Sequence, residues 1–184
     1  MTLFPQRFGD SIRKKVILVA AVATAVLAGA VAVAGTVRTT HVLTVTRTTS
    51  ATSEAVWQQW KDVPNRTQWD QGLEWARIDG GFAAGTRGEV KLKGQPPRRF
   101  EILEARPPTT YVDRFFLPLG AEMDWFHSVE DVGDNQRRVT FRIEVRGPTS
   151  LVLTPILKHI LRGEIPETVD KLVEIAGQGP VATR

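Results

Sequence analysis

Apolar and polar residues alternate through "HVLTVTRTT" (residues 41–49) with the period of two that a strand imposes. The next stretch, "SATSEAVWQQWKDV", changes period. Val56, Trp60 and Val63 recur at helical spacing, and Ser50, Thr52 and Ser53 are candidate N-caps. Pro64 stops this helix, and "PNRTQWD" makes a turn or a second short helix. After Gln71 the pattern is one of strands broken by turn signals. "LEWARI" ends at a hairpin-type turn, Asp79-Gly80-Gly81, and "GEVKLKG" sets Val90 and Leu92 on one face. "RRFEILEA" ends at Pro107-Pro108, "TTYVDRFFL" at Pro118, and "AEMDWFHSVEDV" at Gly133-Asp134-Asn135. "RRVTFRIEV" directs Val139, Phe141, Ile143 and Val145 inward and ends at Gly147-Pro148. Turns at such short, regular spacing imply an antiparallel meander.

Helical periodicity returns from Ser150 to Ala176, where Leu153, Leu157, Ile160, Leu161, Ile165, Val169, Leu172 and Val173 form one long apolar stripe. Thr154-Pro155 suits an N-cap followed by the first helical position. Gly163 and Pro166 predict a kink or a break near the middle, because proline removes a backbone donor and clashes with the preceding turn. The order is strand, one or two short helices, six strands and a long helix. A single curved sheet with so apolar an inner face needs a cover, and only the last helix is large enough to supply it.

Ahead of this domain, residues 16–37 ("VILVAAVATAVLAGAVAVAGTV") carry no charge, and Thr24 and Thr36 are their only polar residues. A helix of that length spans about 33 Å, enough for a hydrocarbon core. Arg13, Lys14 and Lys15 abut its start, which keeps a basic tail, residues 1–15, in the cytoplasm and places residues 38–184 across the membrane. A cleaved signal peptide ending near Ala32-Val33-Ala34 is the alternative, with the domain then secreted. Either way the domain leaves the cytoplasm.

The net charge of +4 is concentrated in that leader. Residues 1–37 carry four basic residues against Asp10, leaving 20 basic and 19 acidic residues for the rest of the chain. So balanced a domain is not a nucleic-acid binder, which needs a basic face. The absence of cysteine removes disulfides, thiolate catalysis and cysteine metal sites. His41, His127 and His159 are isolated from other ligand types, so no metal site is expected, and no motif points to a cofactor. No GxSxG-type nucleophile elbow is present. "GTRGEV" leads into a strand rather than a helix, so it is not a phosphate loop. Asn65-Arg66-Thr67 matches a glycosylation sequon.

The element order, together with "SEAVWQQWKDVPNRTQWD", "GGFAAGTRGEV", Pro107-Pro108 and "RVTFRIEVRGP", resembles the START/Bet v 1-like (SRPBCC) superfamily, in particular its polyketide cyclase/dehydrase and lipid-transport family. The resemblance covers about residues 42–176. It implies an α+β helix-grip fold, a curved seven-stranded antiparallel sheet wrapped on the C-terminal helix with an apolar cavity between them. It also implies a hydrophobic small molecule or lipid as partner, and for some members cyclisation or dehydration chemistry.

Within that frame Trp57 and Trp60, three apart on one helix, read as packing residues. Trp69, at the turn into the second strand, is a packing residue or a ligand contact. The parity that turns Ala121, Met123, Trp125 and Val129 inward also turns His127 inward. His127 is then either a core histidine bonded to backbone or a cavity histidine that orients a ligand or moves a proton, and it is the candidate catalytic residue. In "TTYVDRFFL" either Tyr111, Asp113 and Phe115 face inward, or Val112, Arg114 and Phe116 do, and an inward charge needs a partner. The candidate ligand contacts are Trp69, Tyr111, Asp113, Phe115, Met123, Trp125 and His127.

Three functions compete. The first is a membrane-tethered binder or carrier of a hydrophobic molecule; the second is a cyclase/dehydrase-type enzyme in the same cavity. In the third, side chains such as Trp57, Trp60, Trp75, Trp125 and Phe141 fill the space a ligand would need. Cavity volume separates the last from the others, since a ligand pocket is on the order of 300 Å³ or more.

Overall fold

The computed structural model describes residues 21–30, 33 and 38–178. Residues 21–30 are helical with every side chain exposed, and the remainder of the expected membrane segment, except residue 33, lies outside the described residues. Among the described residues no helix is long and apolar enough to cross a membrane.

Seven antiparallel strands form one sheet in the order β1-β7-β6-β5-β4-β3-β2. They are β1 (Thr40–Thr49), β2 (Leu73–Ile78), β3 (Arg87–Leu92), β4 (Arg98–Arg106), β5 (Thr110–Phe116), β6 (Glu122–Gly133) and β7 (Gln136–Arg146). Strands β2 to β7 follow one another as a meander, and β1 closes the far edge against β7. The chain crosses between the two edges through helix α1 (Ser53–Lys61) and a 3-10 turn (Val63–Gln68). Thr52 caps α1, its hydroxyl accepting from the Ala55 N–H at 3.2 Å. The β6–β7 turn has positive φ at Asp134 and Asn135, as a tight two-residue hairpin requires. The turn expected at Asp79-Gly80-Gly81 instead opens a longer loop, because β3 resumes only at Arg87.

Helix α2 (Ser150–Gly177) lies against β1, β7 and α1 and covers the inner face of the sheet. This is the helix-grip arrangement that the resemblance implies. The expected start of α2 needs correction, because the helix begins at Ser150 and Pro155 sits in its second turn. It continues through Gly163 and Pro166, so of the kink or break expected there the break is absent. The carbonyls that lose their donors to the prolines belong to Leu151 and Arg162, both exposed residues that water can reach. Leu161 and Ile165 before Pro166, and Val169 and Leu172 after it, are all buried, so packing on both sides holds the helix in register. Tertiary burial overrides the local propensity here.

One core joins α1, α2 and strands β1 and β5–β7, with Trp60, Tyr111, Phe141 and Leu172 among its most buried members. A smaller core under the 3-10 turn gathers Val63, Leu73, Val90, Phe100 and Ile102. Trp57 and Trp60 pack edge-to-face, 6.2 Å between ring centroids, and wedge α1 onto the sheet.

Candidate functional site

Sheet register aligns the inner faces of three neighbouring strands. Tyr111 pairs with His127, Asp113 with Trp125 and Phe115 with Met123 across β5 and β6. His127 in turn pairs with Phe141 on β7. This settles the face of β5: Tyr111 and Asp113 are buried, whereas Arg114 turns outward to an ion pair with Asp124 at 2.6 Å. The inward parity of β6 holds at Ala121, Met123, His127 and Val129, with Trp125 half-buried.

All seven candidate contacts line one cavity of about 220 Å³ between the sheet and α2. Trp69 enters it from the turn before β2, while Leu157, Ile160 and Leu161 of α2 form the opposite wall. The volume is smaller than the 300 Å³ expected of a ligand pocket. Trp60 explains part of this, since it is fully buried with its ring 5.4 Å from Tyr111 and 5.9 Å from His127. Trp75 does not line the cavity and instead lies under the Arg77 guanidinium, 5.9 Å away.

Four buried polar atoms on residues that line the cavity make no hydrogen bond within the protein, namely Asp113 Oδ1, His127 Nδ1 and the indole nitrogens of Trp69 and Trp125; Trp60 Nε1 and Thr149 Oγ1, on residues away from it, share that state. Two indole N–H donors, a carboxyl oxygen and an imidazole nitrogen are thus buried at the wall of a mostly apolar cavity. Such groups are costly to bury unless something hydrogen-bonds to them.

The carboxyl and the imidazole form the centre of the site. Asp113 Oδ1 and His127 Nδ1 are 3.8 Å apart, adjacent but too far for a direct hydrogen bond. His127 stacks flat on Tyr111, with centroids 4.0 Å apart and planes 2° apart, and Phe141 meets its ring edge-on at 4.4 Å. These contacts fix the imidazole in the plane that points toward Asp113.

Arg66, buried in the 3-10 turn, is the residue that sequence reasoning missed. Its Nε and Nη2 donate to the Trp60 carbonyl at 3.1 and 2.7 Å, and its Nη1 lies 3.7 Å from Asp113 Oδ2. The guanidinium also sits over the Tyr111 and Phe82 rings at 5.4 and 5.7 Å. Nothing in "PNRTQ" distinguishes this arginine from a solvated loop residue; its role follows from the fold of the turn. Only the rule that a buried carboxylate needs a cation could have prompted the search for it.

Burial pushes the Asp113 carboxyl up to about 7, against the pull of Arg66, so the group is poised to gain or lose a proton near neutrality. Burial, reinforced by the Arg66 charge, holds His127 well below its ordinary 6.5, with backbone groups of Tyr111 and Trp125 acting the other way. The imidazole is therefore neutral at pH 7. Burial likewise drives the Tyr111 phenol well above 10. At the cavity wall Asp70 is raised by burial, although it accepts from the Gly72 N–H at 3.0 Å.

The sequence profile of the family described as polyketide cyclase/dehydrase and lipid transport matches residues 40–177, three-quarters of the chain. No curated protein matches the chain significantly. Solved structures share the fold at low identity. The Zhui aromatase/cyclase from Streptomyces sp. R1128 superposes with a TM-score of 0.64 at 12% identity, over 79% of this chain and 98% of that one. Ara h 8.0201 gives 0.62 at 10% identity, over 77% and 100%. Norcoclaurine synthase from Thalictrum flavum gives 0.58 at 14% identity, over 75% and 86%.

Proposed function

The chain belongs to the polyketide cyclase/dehydrase and lipid transport family, and from that premise we propose that its cavity binds a compact, mostly apolar molecule with a polar head. The supporting observation is a mostly apolar cavity whose lining residues carry four buried polar atoms without a hydrogen bond in the protein. A head bearing an acceptor for the indole N–H groups and hydrogens for both Asp113 and His127 would satisfy all of them. The volume of about 220 Å³ suits a small ring system, or the head of a longer lipid whose tail leaves past Leu157 and Ile160. Residues 16–37 tether this binder to a membrane, with the domain outside the cytoplasm, which raises its effective concentration beside membrane-derived ligands. Organic extraction of the purified full chain, followed by mass spectrometry, should recover a bound apolar molecule. Persistent failure to retain or take up any such molecule removes this reading.

A specific observation favours a second reading, acid–base catalysis in the same cavity. A carboxyl with a pKa of about 7 beside a neutral imidazole nitrogen can give a proton and take one back at physiological pH. Asp113 would give a proton to the bound head or take one from it, while neutral His127 hydrogen-bonds the same head and keeps it in place. Full activity of His127→Ala on an identified substrate would sink the histidine's part.

A further inference from the structure

The cavity opens beside a group of exposed apolar residues that the fold does not use. On α2, Val152, Ile156 and Ile160 follow one another at intervals of four, so they form a single ridge, and they are 58%, 52% and 46% exposed. Ile160 also lines the cavity, so the ridge runs up to the cavity mouth. Next to its start, Leu119 in the β5–β6 loop is 80% exposed. That loop is seated against the approach to α2. A Cβ on Gly147, whose φ is +108°, would lie only 2.5 Å from the Gly120 carbonyl oxygen, so glycine alone permits the contact. Arg162 and His159 are exposed on the flanks of the ridge, and Glu164 follows Ile160 at the next interval of four.

The sheet register shows which end of the molecule this is. Thr40, the first residue of β1, pairs with Val145 near the end of β7, five residues before α2 begins. Phe116 pairs with Glu122, and Glu122 with Arg146, which brings the base of the Leu119 loop to that same end. The chain therefore enters the domain from residues 16–37 at the end that carries the exposed apolar residues and the start of the ridge. A tether there keeps this end, rather than the opposite hairpin at Gly133, next to the bilayer.

We propose that Leu119, Val152 and Ile156 insert into the interface of an anionic lipid bilayer, with Arg162 contacting its headgroups, so that the cavity mouth opens onto the membrane. Apolar side chains buried among headgroups, reinforced by cations near anionic lipid, are the two terms that hold a peripheral surface on a membrane. The orientation argument rests on the tether reading above, but the docking face is a property of residues 38–178 alone. Those residues contain every described strand, both cores and α2, so the fold is built within them.

The test uses residues 38–184 in vesicle flotation, with phosphatidylcholine vesicles compared against equal parts phosphatidylcholine and phosphatidylglycerol. We expect flotation with the anionic vesicles that weakens as salt rises. Val152→Asp/Ile156→Asp should abolish it, and Leu119→Asp should weaken it without touching the helix. Arg162→Gln should reduce partitioning about fivefold. All these side chains are exposed, so unchanged thermal unfolding of the variants is the control for folding. No flotation by the wild type, or flotation indifferent to the aspartates, overturns the proposal. So does a dimer that the same aspartates dissociate while vesicles are ignored, since the face would then cover a second copy of the chain. Mass spectrometry of ligand content in the same samples separates the two readings. A filled cavity without flotation removes only the docking face, and flotation with a cavity that never fills removes only the binder.

Discussion

The two halves of α2 have the same secondary structure and opposite relations to the rest of the molecule. Residues 164–177 bury Ile165, Val169, Leu172 and Ala176 and turn Glu164, Glu167, Asp170 and Glu174 away from the core. Asp170 of this half reaches back to Arg47 on β1. Residues 150–163 bury Leu161 but expose Leu151, Val152, Ile156 and Ile160, and their only formal charges are basic. The second half grips the sheet, and the first half forms one wall of the cavity and its rim. Apolar content alone does not separate the two roles; what differs is whether the sheet lies beneath the apolar face.

If that contrast is right, truncation should affect the halves very unequally. Leu172→Ala removes a fully buried side chain and should cost about 2–5 kcal/mol in denaturant unfolding. Ile156→Ala should stay within about 0.5 kcal/mol, as surface changes do. Equal losses would break the distinction.

The next effect comes from the polar centre that the first half covers. Unfolded, Asp113 loses its proton near 3.8; folded, near 7, so between those values the folded state holds the extra proton. Its contribution to stability is therefore lost as pH rises from about 4 to about 7. Relative to Asp113→Asn, the wild type should weaken over that window by an amount on the order of 4 kcal/mol, measured by urea unfolding at several pH values. His127 acts oppositely. Its lowered folded value makes the protein less stable as pH falls below 6.5, and this term is shared by both proteins and largely cancels in the comparison. A difference that stays flat with pH would mean that Asp113 ionises normally, and the case for a poised acid would fall.

The smallest effect belongs to the outer surface of the gripping half. Asp170→Asn removes the ion pair with Arg47, whose side chains are 36% and 56% exposed, and should cost under about 1 kcal/mol. That cost should shrink further in high salt. A larger, salt-insensitive loss would show that the grip depends on this contact and not only on the buried stripe.

Residues that act through local periodicity were legible from the chain. The alternation in β6 placed His127 on the inner face, and the helical stripe identified α2 as the cover, because a period of two or 3.6 is a property of neighbours in sequence. The turn residues separated the strands for the same reason, although they understated the loop after Asp79. The sequence also placed a long uncharged run ahead of the domain, where composition alone carries the reading.

What only the tertiary structure decided involves partners distant in sequence. The inward face of β5 depends on its register with β6, and two opposite parities suit "TTYVDRFFL" equally well. Arg66 became the cation of Asp113 because a 3-10 turn placed it over a strand 47 positions later. Pro166 was accommodated because packing on either side held the helix through it. The cavity's modest volume was set by how Trp60, Tyr111 and Phe141 fill the space together, and the sum of those side chains cannot be read from any one of them. Periodicity is written along the chain, whereas pairing, volume and the environment of a charge exist only once distant segments meet.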